Sequence, residues 1–171
     1  MDFSSLHIFM LYAMHNIQYP LDRDPYMQIV PDAPKEIRQY IKFVVLALVN
    51  AASEGKAKSA WSHQLKTDYA TMYPLYEEHI KAKGLTIRDL PELCRAAFPE
   101  IADEFFSGRG LEVQNRDSRI AVDVCLHFAR SGRACLPIHD SFIVKACYRD
   151  ELGRVMRDVY GAHMGFEINV K

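Results

Sequence analysis

One nine-residue stretch, LPIHDSFIV at residues 136–144, limits the folds open to this chain more than any other. Two short apolar runs, 135–138 and 142–145, flank His139 and Asp140, a spacing that predicts a β-hairpin with a tight turn. Arms this apolar should be buried, so the hairpin would present Asp140 at its tip. A structural explanation also stands, because an Asp in a turn bonds the local backbone.

Helical periodicity dominates the rest of the sequence. It predicts helices at 4–16, 35–52, 57–83 (interrupted at Pro74), 86–98, 111–131 and 150–160. Ser4 is placed to cap the first helix, and Gly84 and Gly132 to end two later ones. Alternation at 166–170 indicates a closing strand. The predicted fold class is α+β, mostly helical with a small antiparallel sheet.

Composition favours a folded domain without a strong charge bias. Of the 171 residues 49% are hydrophobic, and 21 Lys and Arg stand against 22 Asp and Glu, so no basic excess marks a nucleic-acid partner. The four cysteines form no C-x-x-C pair and are predicted to be buried thiols. No apolar run has the length of a membrane span, so we expect a cytoplasmic location and no membrane partner.

Three segments carry a family resemblance through their order along the chain. DFSSLH at 2–7, RQYIKFVVLALVN at 38–50 and the HDS of the hairpin resemble motifs A, B and C of one superfamily. It contains the family A DNA polymerases and the single-subunit phage-type RNA polymerases. The resemblance implies a palm-like and incomplete single domain over 1–171, with fingers-like helices inserted at about 20–84.

The resemblance also implies a catalytic centre. Asp2 and Asp140 would be the catalytic carboxylates and would hold two Mg²⁺ ions, with Phe3 among the metal ligands. His139 and Ser141 would support the turn or the primer. The implied reaction is template-directed nucleotide addition, since phosphoryl transfer depends mainly on positioning and on charge stabilisation by two metal ions.

The remaining implied residues would bind the nucleoside triphosphate. Arg38 and Lys42 lie one turn apart in the motif B segment and would contact its phosphates. Asn50 stands where motif B usually has a Tyr, and it could bind the nucleotide by hydrogen bonds or cap the helix. His7 stands where the family's DNA polymerases have a Glu near the sugar, so the choice between deoxyribose and ribose stays open.

In the family the motif A strand precedes the Asp, but here only Met1 stands before Asp2. The hairpin is therefore expected to have an unpaired edge. The expected partners are a primer-template, nucleoside triphosphates and a protein that supplies the missing strand and the thumb. Two other interpretations remain. The chain could be an inactive polymerase remnant that binds nucleic acid or docks to a partner, or an unrelated helical interaction protein.

Overall fold

The computed structural model describes residues 1–31, 34–67, 73–139 and 141–171. Its elements, within these ranges, are helices and one hairpin: α1 (Leu6–Met14), α2 (Pro25–Ile29), α3 (Lys35–Asn50), α4 (Glu54–Lys66), α5 (Tyr73–Ala82), α6 (Leu90–Ala97), α7 (Gly110–Ala129), β1 (Leu136–Ile138), β2 (Ser141–Ile143) and α8 (Arg149–Met164). Single 3₁₀ segments lie at Ile87–Asp89, Pro99–Glu104 and Ala146–Tyr148. The predicted class, mostly helical with a small antiparallel sheet, is confirmed.

The chain divides into two compact units. Met1–Arg23 and Glu112–Lys171 form the sheet unit, and Asp24–Leu111 forms the inserted unit between them in sequence. The sequence predicted one domain with inserted helices at about 20–84. The inserted unit begins close to that predicted start but continues well beyond Gly84, through α6 to the start of α7.

Backbone pairing in the sheet unit extends beyond the hairpin. Residues 1–4, the N-terminal segment, lie between β2 and residues 169–171, the C-terminal segment. Met1 and Phe142 exchange two hydrogen bonds of 2.9 and 2.8 Å, and Asp2 and Lys171 exchange two of 2.7 and 3.0 Å. The order across the unit is therefore β1, β2, N-terminal segment, C-terminal segment. The prediction of an unpaired hairpin edge is wrong at β2, because Met1 and Asp2 pair with it.

The predicted closing strand at 166–170 is reduced to an isolated antiparallel bridge between Phe3 and Val170. Ser4 adds one hydrogen bond of 2.9 Å to the Asn169 carbonyl. The pairing ends there because the chain leaves the sheet at Ser5 and enters α1.

One face of this pairing packs on α8. Side chains alternate along paired segments, so Phe3 and Phe142 share a face. Their rings meet edge to face with centroids 6.2 Å apart, and Phe3 lies 6.2 Å from the Tyr160 ring of α8. All three side chains are buried. Burying three aromatic rings contributes several kcal/mol to the stability of the unit.

The turn from the N-terminal segment into α1 differs from the prediction. Ser4 does not cap the helix; the cap residue is Ser5, with φ 52°, and no side-chain hydrogen bond forms there. The Ser5 carbonyl instead accepts the N–H groups of Ile8 and Phe9 at 3.0 and 3.3 Å. Nearly every residue of α1 is buried, so the packing of this helix compensates for the missing side-chain cap.

The hairpin arms are more exposed than predicted. Phe142 is buried, whereas Leu136, Ile138 and Ile143 are 58%, 51% and 51% exposed, so the expectation of buried arms is wrong. Phe142 pairs with Pro137 but makes its hydrogen bonds to Met1, so the Pro137 nitrogen faces the outer edge of β1. Pro has no N–H, and this edge therefore offers no backbone donor at its centre for another strand.

The inserted unit is organised around α3. The predicted helix at 35–52 is confirmed, and its apolar face is buried by α2, α4 and α6: Ile37, Ile41, Val44, Val45 and Leu48. Over the predicted helix at 57–83 the described residues form two helices, α4 and α5, and Pro74 lies in the first turn of α5. Gly84 follows α5 with φ 70°, as its role as a helix stop requires.

The cysteines do not share one environment. Cys94 is buried, and burial raises the pKa of its thiol. Cys125 and Cys135 are half-buried, and burial together with Cys125 raises the pKa of Cys135 to about 12. Cys147 is exposed. The prediction of buried thiols therefore holds for Cys94, is wrong for Cys147 and is only partly met by the other two.

Gly110 tests the packing at the end of α3. A methyl group on Gly110 would lie 1.5 Å from Oδ1 and 3.0 Å from Cα of Asn50. Helix propensity favours Ala over Gly by about 1 kcal/mol, but we expect Gly110→Ala to destabilise the chain by about 1–3 kcal/mol because of this overlap. Denaturant unfolding measures the change.

Gly55 provides the control, because it is also helical and has open space around its Cβ position. Gly55→Ala should stabilise by about 0.5–1 kcal/mol. Adding Asn50→Ala to Gly110→Ala should recover part of the loss. Equal stabilisation by Gly110→Ala and Gly55→Ala would refute the proposed overlap.

A charged cluster joins the end of α7 to the start of α8. Glu151 accepts hydrogen bonds from Arg133 and pairs with His127 Nε2 at 2.9 Å. The Arg133 guanidinium stacks 5.0 Å from the Phe128 ring and 4.8 Å from the Tyr148 ring. Arg133, followed by His127, lowers the pKa of Glu151 to about 2.

This lowered pKa predicts an acid-sensitive contribution to stability. A carboxyl group with a depressed native pKa stabilises the fold above its unfolded pKa, near 4.5, and loses that contribution as the pH falls towards 2. Glu151→Gln should therefore flatten the fall in the free energy of unfolding between pH 5 and pH 2. Glu167→Gln, at an exposed carboxylate, is the control and should leave the fall unchanged. A profile unaltered by Glu151→Gln would contradict the cluster's role.

Candidate functional site

The pairing of the N-terminal segment determines where Asp2 lies. Because Met1 and Phe142 form a hydrogen-bonded pair, the adjacent antiparallel pair, Asp2 with Ser141, is a non-hydrogen-bonded one. In such pairs the Cα atoms are about 4.5 Å apart and the side chains leave the same face. Asp2 and Ser141, both half-buried, therefore lie on the face opposite to Phe3.

Asp140, the second predicted carboxylate, lies outside the described residues. In sequence it directly precedes Ser141. The other side of the turn is described: His139 has φ 53° and is exposed. A left-handed residue at this position is typical of the two-residue hairpin turn that the sequence predicted.

Phe3 is committed to the core through its side chain, which is 2% exposed. Of its atoms, only the backbone carbonyl has the oxygen that a Mg²⁺ ion prefers. The predicted role of Phe3 among the metal ligands is therefore restricted to that carbonyl.

His7 projects from α1 towards α7. Its Nε2 atom lies 3.6 Å from the carboxylate of Asp117, and both side chains are about one-quarter exposed. The structure thus brings the predicted sugar-side residue of motif A against the helix that precedes the hairpin. The sequence predicted the helix that carries Asp117 but gave no signal for the pair, because its partners are far apart in the chain.

Arg38 has a partner that the sequence analysis missed. Its guanidinium forms an ion pair with Asp24 at 2.5 Å and lies 5.0 Å from the Tyr26 ring centroid. Asp24 also caps α2 by accepting the Tyr26 N–H at 3.0 Å. The Asp-Pro sequence ahead of α2 was the available signal, since Asp is favoured at the cap and Pro at the first helical position.

Lys42 lies one turn after Arg38 on α3, and both side chains are half-buried. Asn50 is exposed at the end of the helix, where its side-chain N–H donates to the Leu46 carbonyl at 2.8 Å. This hydrogen bond is local to the last turn of α3, and both roles left open for Asn50 stay predictions. Arg38, Lys42 and Asn50 belong to the inserted unit, and the other predicted site residues belong to the sheet unit.

The metal prediction rests on two carboxylates, of which Asp2 alone is described. Among the described residues, no three His, Cys, Asp or Glu side chains gather closely enough to hold a metal ion. Asp2 and the Phe3 carbonyl supply oxygen donors, the chemistry that suits Mg²⁺. The donors present therefore fit the ion, and the described residues leave the site incomplete without Asp140.

Comparison with protein-family models, with curated proteins and with solved structures gave no match in any of the three. None of the helices in the described part of the chain has the length and apolar character needed to cross a membrane.

The two roles of Asp24 can be separated by substitution. Asp24→Asn should keep the α2 cap and lose the charge that faces Arg38, at a cost below about 1 kcal/mol for a partly exposed pair. Asp24→Ala should lose both and cost roughly 1 kcal/mol more. Denaturant unfolding of both variants measures the difference. Equal losses of unfolding free energy in Asp24→Asn and Asp24→Ala would show that the cap contributes nothing.

Proposed function

We propose that the chain is a palm-and-fingers piece of a nucleotidyltransferase of the family A and phage-type polymerase superfamily, acting in template-directed nucleotide addition. The partners of this proposal are a primer-template and nucleoside triphosphates, and its location is the cytoplasm. The ordered set of three motifs motivates it. The observation that carries it is the pairing of Asp2 with Ser141, the residue that follows Asp140.

This pairing supports the proposal because the two implied carboxylates are 138 positions apart in the sequence. A shared metal centre needs them on neighbouring segments. The N-terminal segment meets the hairpin at Ser141, the residue next to Asp140. The contact between the Phe3 and Phe142 rings on the opposite face stabilises that register.

In the proposed centre Asp2 and Asp140 hold two Mg²⁺ ions. Held there, they would supply activation of the primer hydroxyl and positive charge beside the leaving pyrophosphate. The chain's own part is to fix Asp2 on paired backbone beside the hairpin, which costs no reorganisation during the reaction. Ser141, on the same face as Asp2, is proposed to support the turn or the primer beside this centre.

Arg38 and Lys42 are proposed to bind the triphosphate. Arg38 would exchange the Asp24 carboxylate for phosphate oxygens, which replaces one charge-assisted hydrogen bond by another. Lys42 would add a point charge one turn away. In the absence of the nucleotide, the ion pair with Asp24 keeps the Arg38 guanidinium oriented.

A second candidate is the inactive remnant that binds nucleic acid or docks to a protein partner. The hairpin exposes three apolar side chains, Leu136, Ile138 and Ile143. Their exposure favours this second candidate, because exposed hairpin arms usually carry charged side chains instead. A partner that supplies a first strand is not needed beside β2, where the N-terminal segment already pairs. A partner that supplies the thumb remains part of the proposal.

Primer extension tests the proposed function. We expect Mg²⁺- or Mn²⁺-dependent extension of a labelled primer-template with mixed deoxynucleotides and ribonucleotides. Asp2→Asn and Asp140→Asn should each reduce the rate by roughly a hundredfold or more, since each removes a carboxylate that would hold the Mg²⁺ ions and, with them, the positive charge at the centre.

Asp158→Asn is the matched control, because this exposed carboxylate on α8 is outside the proposed centre. It should extend the primer as the parent chain does. Extension that survives both Asp2→Asn and Asp140→Asn would reject the centre. No extension by the parent chain would favour the remnant.

A further inference from the structure

Two thiols of the sheet unit line the same groove. The groove lies between α7 and the chain that leads into β1, has a volume of about 480 Å³ and is lined mainly by apolar side chains. Cys125 belongs to α7, and Cys135 directly precedes β1. Both side chains are half-buried and therefore partly open to solvent.

The turn after α7 brings these two cysteines together. The Gly132 N–H donates to the Ala129 carbonyl at 2.9 Å, with Gly132 at φ 65°. The Arg133 N–H donates to the Phe128 carbonyl at 3.0 Å. This pair of hydrogen bonds around a left-handed glycine is a common helix ending, and it turns the chain back along α7. Residues ten positions apart in the sequence thus become neighbours at the groove.

The two thiols also contact each other. Burial is the main cause of the raised pKa of Cys135, followed by the charge of Cys125 and by a side-chain hydrogen bond with Cys125. A hydrogen bond between two thiols needs their sulfur atoms close together. Closeness of the two sulfur atoms is also the first requirement for a disulfide bond.

From this arrangement we propose that Cys125 and Cys135 are a reversible dithiol–disulfide pair, which is oxidised by small-molecule disulfides such as oxidised glutathione. The bond fastens β1 to α7. In the described part of the chain β1 pairs with β2 alone, so the bond adds a second attachment for this arm of the hairpin. In a reducing compartment the pair stays reduced until the supply of oxidised disulfide rises, so the bond is a reversible state.

The oxidation takes place by two exchange steps. The Cys125 sulfur loses its proton and attacks one sulfur of the small disulfide, whose S–S bond breaks and releases one thiolate. Cys135 then loses its proton and attacks the Cys125 sulfur of the mixed disulfide, which releases the second thiolate. The protein thiols lose two electrons and two protons, and the small disulfide takes up both as two thiols. Because burial raises the pKa of Cys135, Cys125 is the first nucleophile.

Peptide mass spectrometry without reductant tests the pairing. The folded chain is incubated with oxidised glutathione, its remaining thiols are alkylated, and trypsin cuts between the two cysteines at Arg130 and Arg133. We expect peptides 120–130 and 134–145 joined by a disulfide. Cys135→Ser should instead keep glutathione on Cys125, because the second attacking thiol is gone.

Cys147→Ser is the matched control, because Cys147 is an exposed cysteine that does not line the groove. It should form the internal bond as the parent chain does. Thermal melting checks that the variants are folded, and Cys135→Ala provides a second version of the serine variant.

The same reaction in concentrated urea measures what the fold contributes. Because the native turn holds the two thiols together, the equilibrium constant for the internal bond should be roughly tenfold or more higher in buffer than in urea. Oxidation should raise the folding equilibrium constant by the same factor, since the two equilibria are linked.

Two results would overturn the proposal. One is a parent chain that gives separate glutathione adducts or unmodified thiols and no linked peptides. The other is an equilibrium constant that is equal or lower in buffer, since the fold would then not bring the thiols together. Neither measurement involves primer extension, so failure here leaves the proposed function standing.

Discussion

The backbone pairing of residues 1–4 with β2 on one side and with residues 169–171 on the other is the constraint on which the sheet unit depends. It joins the first residues of the chain, the hairpin and the last residues into one antiparallel arrangement. Side-chain alternation then assigns the faces: Phe3 and Phe142 turn towards α8, and Asp2 and Ser141 turn away from it. Because the apolar and aromatic side chains occupy the face towards α8, the polar side chains Asp2 and Ser141 share the other face, where the candidate site lies.

The hairpin itself is weakly protected. A two-stranded hairpin is marginal in water, and here one arm is exposed along its whole length. Pairing of β2 with the N-terminal segment and the burial of Phe142 compensate on one side. On the other side Pro137 removes the central backbone donor, which discourages strand addition without covering the apolar side chains.

Local signals in the sequence predicted the elements well. Periodicity located α3, glycine marked the end of α5, and two apolar runs around His139 predicted the hairpin. The pairing of Met1 and Asp2 with β2 could not be predicted, because partners 141 and 139 residues away leave no local pattern. The resemblance suggested that Asp2 belonged near the hairpin, but it also suggested an unpaired edge, and that expectation is wrong at β2.

The site residues divide in the same way. Spacing placed Arg38 and Lys42 one turn apart, as found, because both lie on one helix. The ion pair of Arg38 with Asp24 was missed although a cap signal stood in the sequence, since a cap predicts a helix start and not the cation that approaches it. Burial of the hairpin arms was over-predicted, because apolar character alone does not show whether another element covers a strand.

The most direct test of this account is a nuclear Overhauser measurement between the Hα atoms of Asp2 and Ser141 in the isotope-labelled chain. A non-hydrogen-bonded antiparallel pair brings its Cα atoms to about 4.5 Å, so the account predicts a strong Hα–Hα cross-peak. A folded chain with ordered β1 and β2 but without that cross-peak would contradict the pairing and, with it, the shared centre of Asp2 and Asp140.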